Sequence, residues 1–153
     1  VKPTDKQKIL FALLIAGAVP TASAAPGASS PHAAILALES AYARHDIEAA
    51  VLAKDFREEA RLMMVRTNPA LADDASILTQ LAEVLELAFR KQIQASGFPD
   101  FSSVTCSLST PVAVTETLAQ VSETCRYPDG EAVVENLYAT KSGDGWRVVV
   151  TAR

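Results

Sequence analysis

The spacing of apolar residues changes twice along this chain. Residues 9–19, ILFALLIAGAV, are apolar without a break. From residue 31 to about 96, apolar side chains recur every three or four positions, which gathers them on one face of a helix. From residue 102 onward, short runs rich in Val and Thr are separated by turn sequences, the pattern of strands.

The middle pattern predicts three helical segments. In HAAILALESAYARH, Ile35, Leu38 and Tyr42 repeat at helical spacing with Leu36 beside them. Ser30 supplies an N-cap there, and Pro31 suits the first helical position. Asp46 caps the second segment, IEAAVLAKDFREEARLMMVR, whose stripe is Ile47, Ala50, Val51, Phe56, Ala60, Met63 and Met64, with a bend near Lys54–Asp55. It stops at Asn68, because the residue before a proline is pushed out of the helical region. Asp73 or Asp74 opens the third, ASILTQLAEVLELAFRKQIQAS, with Ile77, Leu81, Val84, Leu85, Ala88 and Ile93 expected to face inward. Gly97 ends it, with Arg90 and Lys91 near the negative end of its dipole. The charge run KDFREEAR reads as a solvated helix face.

The strand segments are SSVTCSLSTPVAVT, TLAQVSETCRY, EAVVENLYATK and GWRVVVTA, with PDG and SGDG as turns. Helices first and strands last, without alternation, predict an α+β fold: N-terminal helices packed on one face of an antiparallel sheet of about four strands.

The first residues change the picture of where the protein goes. VKPTDKQK carries three lysines against one aspartate and precedes the apolar run. Pro20 breaks that run, and Ala22 and Ala24 follow at the small-residue positions that signal peptidase reads. This order predicts a secretory signal peptide over residues 1–24, cut between Ala24 and Ala25, and a periplasmic or secreted product. The run is too short for a permanent span, so no stable membrane anchor is expected after cleavage. Residues 25–31, APGASSP, predict a flexible leader, and residues 32–153 a single domain. Loss of the leader's charges moves the formal net charge from −4 to about −6 by counting Lys, Arg, Asp and Glu as fully charged. An acidic product without a basic cluster is not built to hold phosphates, so no nucleic-acid partner is expected.

Cys106 and Cys125 are the two cysteines. If their strands form a hairpin with the cysteines opposed, Val114 faces Thr117, Val112 faces Ala119 and Val104 faces Tyr127, and the turn falls at Thr115–Glu116. Apolar residues then land together. Opposed residues lie about 4.5 Å apart at Cα, within disulfide geometry. Pro111 requires an edge position or a bulge in that hairpin. An exported protein with two cysteines pairs them, and closing about 20 residues contributes roughly 3 kcal/mol. The competing reading, a reactive thiol, lacks a basic neighbour on the same face, since Arg126 points away from Cys125.

Little of the usual catalytic apparatus is written in the sequence. His32 and His45 are the two histidines, and no zinc-type spacing, phosphate loop or nucleophile elbow occurs. No metal or cofactor is expected. The carboxylates of the strands are the open question. Glu123 shares a face with Val121, Cys125 and Tyr127, and Glu135 shares one with Val133 and Leu137. If that face lines a pocket, a glutamate there becomes a base of raised pKa. The plainer alternative is that it is the solvent side of the sheet.

ALESAYARHDIEAAVL resembles the opening of NTF2-like proteins, and CRYPDGEAVVENLYATKSGDGWRVV resembles their last strands. The resemblance implies a cone-shaped α+β fold in which a curved sheet wraps around helices and encloses an apolar cavity. It also implies Tyr42 and Asp46 as cavity residues. The expected role is a non-enzymatic module that binds a protein or a small apolar ligand. Two alternatives stand beside it: a cavity isomerase or hydrolase using a buried glutamate, and an immunity protein whose acidic surface blocks an exported toxin. Each is compatible with a homodimer formed through an exposed sheet face.

Overall fold

The computed structural model describes residues 27–150. The expected signal peptide, residues 1–24, and its cleavage site at Ala24–Ala25 lie outside them. Four α-helices precede five strands: α1 Pro31–Ala43, α2 Ile47–Leu52, α3 Phe56–Thr67, α4 Ala75–Ser96, then β1 Thr105–Leu108, β2 Val112–Ala113, β3 Leu118–Arg126, β4 Ala132–Ser142 and β5 Gly145–Val149. A short 3₁₀ turn, Pro69–Leu71, joins α3 to α4.

Every α-helix starts on a side-chain cap. Ser30 accepts from the Ala33 amide, Asp46 from Ala49, Asp55 from Glu58, and Asp74 from Ser76 and Ile77. Each cap satisfies amide groups that the first helical turn leaves without partners. The bend expected at Lys54–Asp55 is therefore a true break, because Asp55 caps a new helix. The end of α1 is sealed by paired bonds, His45 N–H to Tyr42 O and Asp46 N–H to Ala41 O, with His45 in the left-handed region at φ 54°. The Phe98 ring stacks on His45 at 5.2 Å and tilts against Tyr42 at 6.2 Å.

The fold is α+β, and the strongly curled antiparallel sheet forms a half-barrel in the order β1-β3-β4-β5, with β2 also on β3. Cys106 opposes Cys125 and Leu108 opposes Glu123, the register expected. Beyond Ser109 that register slips by one residue: Val112 faces Gln120 instead of Ala119, and Ala113 faces Ala119. Thr110 and Pro111 occupy the slip as a bulge, because proline has no amide to give to the ladder. The turn moves with it. Val114 donates to Leu118 O, and the Thr115 hydroxyl accepts from the Thr117 and Leu118 amides.

The core lies between α1 and the concave face of the sheet. Ala34 and Ile35 pack on Val121, Ala139 and Val148, all nearly inaccessible to solvent. Alanines at 34, 41, 50 and 60 are equally buried, and their small side chains let the helices approach closely. The end of the expected flexible leader is tied down, since Ala28 exchanges both backbone bonds with Trp146 at 2.9 and 2.8 Å.

α4 differs from expectation. It packs on α3 and reaches α2, where Arg90 forks onto Glu48 at 2.6 and 2.9 Å. Leu78 is its buried residue, and Ile77, Leu81, Leu85 and Ile93 of the expected stripe are half-buried, while Val84 and Ala88 are exposed. Val84 and Ala88 are left outside because α4 leans on other helices and stands off the sheet. The space beneath it is the cavity described next. No helix among the described residues is long and apolar enough to cross a membrane.

Candidate functional site

A cavity of about 720 Å³ opens between α1, α4, the loop after α4 and the concave face of the sheet. Its walls are mostly apolar: Ile35 and Leu38 from α1, Phe89 and Ile93 from α4, Phe101 from the loop, and Leu137 and Val148 from the sheet. This volume and character suit a small ligand.

The polar groups cluster on the wall between α1 and the sheet. Glu123 and Glu135 are directly opposed across β3 and β4, and both line the cavity. Glu123 is 7% exposed, so the face that carries it is the interior of the half-barrel and not its solvent side. Glu135 is more exposed. The third carboxyl, Glu39, comes from α1 and hydrogen-bonds to Glu123. One oxygen of each, Glu39 Oε1 and Glu123 Oε1, is buried and receives no donor from the protein. Two carboxylates cannot both ionise cheaply at such a contact, so the Glu39 carboxyl keeps its proton and donates it to Glu123. Burial, then the bond and charge of Glu123, push the Glu39 carboxyl up from 4.5 to about 7.

Tyr42 stands one turn further along the same face of α1 and lines the cavity, and burial pushes its hydroxyl up to about 12. Asp46 is exposed and spends its carboxylate on the α2 cap; it is not among the lining residues. His32 lies within α1, with Nε2 against Ser109 O, away from the cavity.

Sequence reasoning missed two residues. Glu39 sits at the position between Ile35 and Tyr42 on the apolar stripe of α1, and a carboxylate inside an inward stripe was the available signal. Lys54, read within a solvated charge run, is 7% exposed. Its ammonium pairs with Glu59 at 3.2 Å and lies over the rings of Phe56 and Phe89 at 5.2 and 5.4 Å. The signal for it was weak, since it lies in the three-residue gap between helices. Glu59 also accepts from the Val150 amide, which ties α3 to the end of β5.

Cys106 and Cys125 form a disulfide with Cα atoms 4.0 Å apart. Their sulfurs and a Glu123 oxygen all lie within 4.8 Å of one another. With the sulfurs bonded to each other, Glu123 is the one anionic donor of that group, which is not a donor set for a cation. A smaller hollow of about 270 Å³, sharing Glu123, Glu135 and Phe101 with the main cavity, reaches Cys125.

The shared proton links stability to pH. Below about pH 4.5 the glutamate is protonated in both the folded and the unfolded chain. Between 4.5 and 7 the folded chain keeps a proton that the unfolded chain has lost, so stability falls as pH rises through this window. The full shift corresponds to roughly 3 kcal/mol, and solvent screening of the partly exposed Glu39 reduces this to about 1–2 kcal/mol. Urea unfolding at pH 5.5 and 8 is expected to show that loss, and Glu39→Gln to flatten it. A wild-type profile that is level or rising over this range contradicts the shared proton.

Compared with known proteins, the chain matches no family model, no curated protein and no solved structure.

Proposed function

We propose that this protein is an exported module of the NTF2-like type that binds a small, largely apolar ligand in its half-barrel. The observation that carries this reading is the cavity itself: about 720 Å³ behind apolar walls, with a buried carboxyl pair at one side. A fold selected only for packing closes such a space, since unfilled apolar volume is destabilising. The resemblance of the two quoted segments and the α+β half-barrel support the family. The disulfide supports an oxidising compartment.

Binding is tested with N-phenyl-1-naphthylamine, a neutral apolar fluorophore. The expected result is saturable, blue-shifted emission at one site per chain. Leu38→Trp, which fills the cavity from α1, is expected to abolish it while the far-UV spectrum and melting temperature stay close to wild type. Equal binding by a folded Leu38→Trp variant would remove the cavity as the site.

A second reading rests on the position of the Glu39–Glu123 proton. A carboxyl titrating near 7 inside an apolar pocket can take or give a proton at neutral pH, as a cavity isomerase requires. Deuterium exchange into 2-tetralone in D₂O, followed by proton NMR, separates the two. An enzyme accelerates it beyond an equal concentration of acetate and loses the effect in Glu39→Gln and Glu123→Gln. A binding module does not accelerate it.

A further inference from the structure

We infer that the ligand of this cavity carries a cationic nitrogen on its apolar body, an ammonium or a protonated aromatic amine, and that this group seats at the Glu39–Glu123–Glu135 wall. The inference rests on the binding reading above and specifies its ligand class.

Charge balance inside the cavity is the first support. Three lining residues are carboxylic acids, and they come from α1, β3 and β4. One lining residue is cationic, Lys54, and its ammonium is already held by Glu59 and by two aromatic faces. Lys54 therefore has its charge balanced within the fold and offers none to the Glu39–Glu123 contact. The lining residues of α4 and β5 include no titratable group, and Tyr42 remains neutral.

The second support is independent of the acidic count. Glu123 is more than nine-tenths buried, lines the cavity, and has a carboxylate oxygen with no protein donor. A buried acceptor without a donor is costly to a fold unless something else supplies one. A proton supplies it in the empty protein, and a ligand's N–H group can take the proton's place. An anionic ligand would meet like charge, and a purely apolar one would leave the carboxyl pair as it was. The aromatic ring of Phe101 on the cavity wall adds a face that attracts a cation.

This exchange has a proton signature. An alkylammonium stays charged from pH 5 to 9, so its binding displaces the shared proton whenever the pair still holds it. Apparent affinity then rises with pH until the pair is ionised. With the Glu39 carboxyl titrating near 7, the gain from pH 5.5 to 8 is roughly 30-fold by linkage. A neutral analogue shows no such rise.

The test uses isothermal titration calorimetry of the intact, disulfide-bonded protein with 1-adamantylamine and its isostere 1-adamantanol, at pH 5.5 and 8. The expected result is that the amine binds more tightly than the alcohol at pH 8. Its affinity should gain roughly 30-fold over the interval, with heats that depend on the buffer's ionisation enthalpy because a proton is released. Glu39→Gln is expected to remove both the gain and the buffer dependence while binding of the alcohol persists; Glu123→Gln serves the same purpose if the first variant folds poorly. Equal affinity for amine and alcohol at both pH values overturns the cationic ligand and leaves the cavity reading standing. Binding of neither overturns both.

Discussion

Replacing both cysteines by serine is expected to lower stability by about 3 kcal/mol. The bridge closes a 19-residue separation, and most of its effect comes from restricting the unfolded chain. The native sheet adds a local reason. β1 is a four-residue edge strand held to β3 alone, and its hydrogen bonds are too few to keep it in place without the covalent link. Its neighbour across the ladder is Glu123, opposite Leu108. Loss of the bridge therefore loosens the strand beside the carboxyl pair. Thermal unfolding of the double serine variant should fall by roughly 10–15 °C, and amide exchange should speed up first over residues 105–108. A drop of only a degree or two would mean that the bridge is incidental to the fold.

Gly145→Ala is the second large effect, at about 3 kcal/mol. Gly145 opens β5 at φ 148°, and a Cβ there would stand 2.6–2.7 Å from backbone atoms of Gly27 and Ala28. Neither strand of this crossing can retreat, since Ala28 and Trp146 are paired by two backbone bonds. Gly130 is a useful comparison: it has φ 92° but nothing within 4 Å of the added carbon. Gly130→Ala should therefore show backbone strain alone, about 1 kcal/mol. Urea unfolding followed by fluorescence of Trp146, the single tryptophan, measures both. Equal losses in the two variants would show that the close crossing contributes nothing.

The caps and the cysteine register were legible in the sequence because both are local. Ser30, Asp46 and Asp74 stand directly before helical periodicity, and opposing Cys106 to Cys125 fixed one half of the hairpin. The other half slipped by a residue because Pro111 forces a bulge, and its direction depends on backbone geometry that no side-chain pattern records. The site was half legible. Glu123 and Glu135 could be placed on one sheet face, but whether that face looks at helices or at water depends on how the sheet curls. Glu39 and Lys54 were harder. Each is a charged residue that burial should exclude, tolerated here because Glu39 meets Glu123 and Lys54 meets Glu59. Those partners are 84 and 5 residues away in the chain, and the first contact exists only after α1 docks on β3. On α4, Val84 and Ala88 were misplaced for a related reason, since a helix that packs on helices presents a different stripe from one lying on a sheet.

The side-chain carboxyl carbon of Glu39, followed by NMR from pH 3 to 9 in labelled protein, tests the paired carboxyls most directly. The account predicts a midpoint near 7, moving down toward the ordinary range when Glu123 is replaced by glutamine and retaining part of the rise from burial. A Glu39 midpoint close to 4.5, unmoved by that replacement, would contradict it.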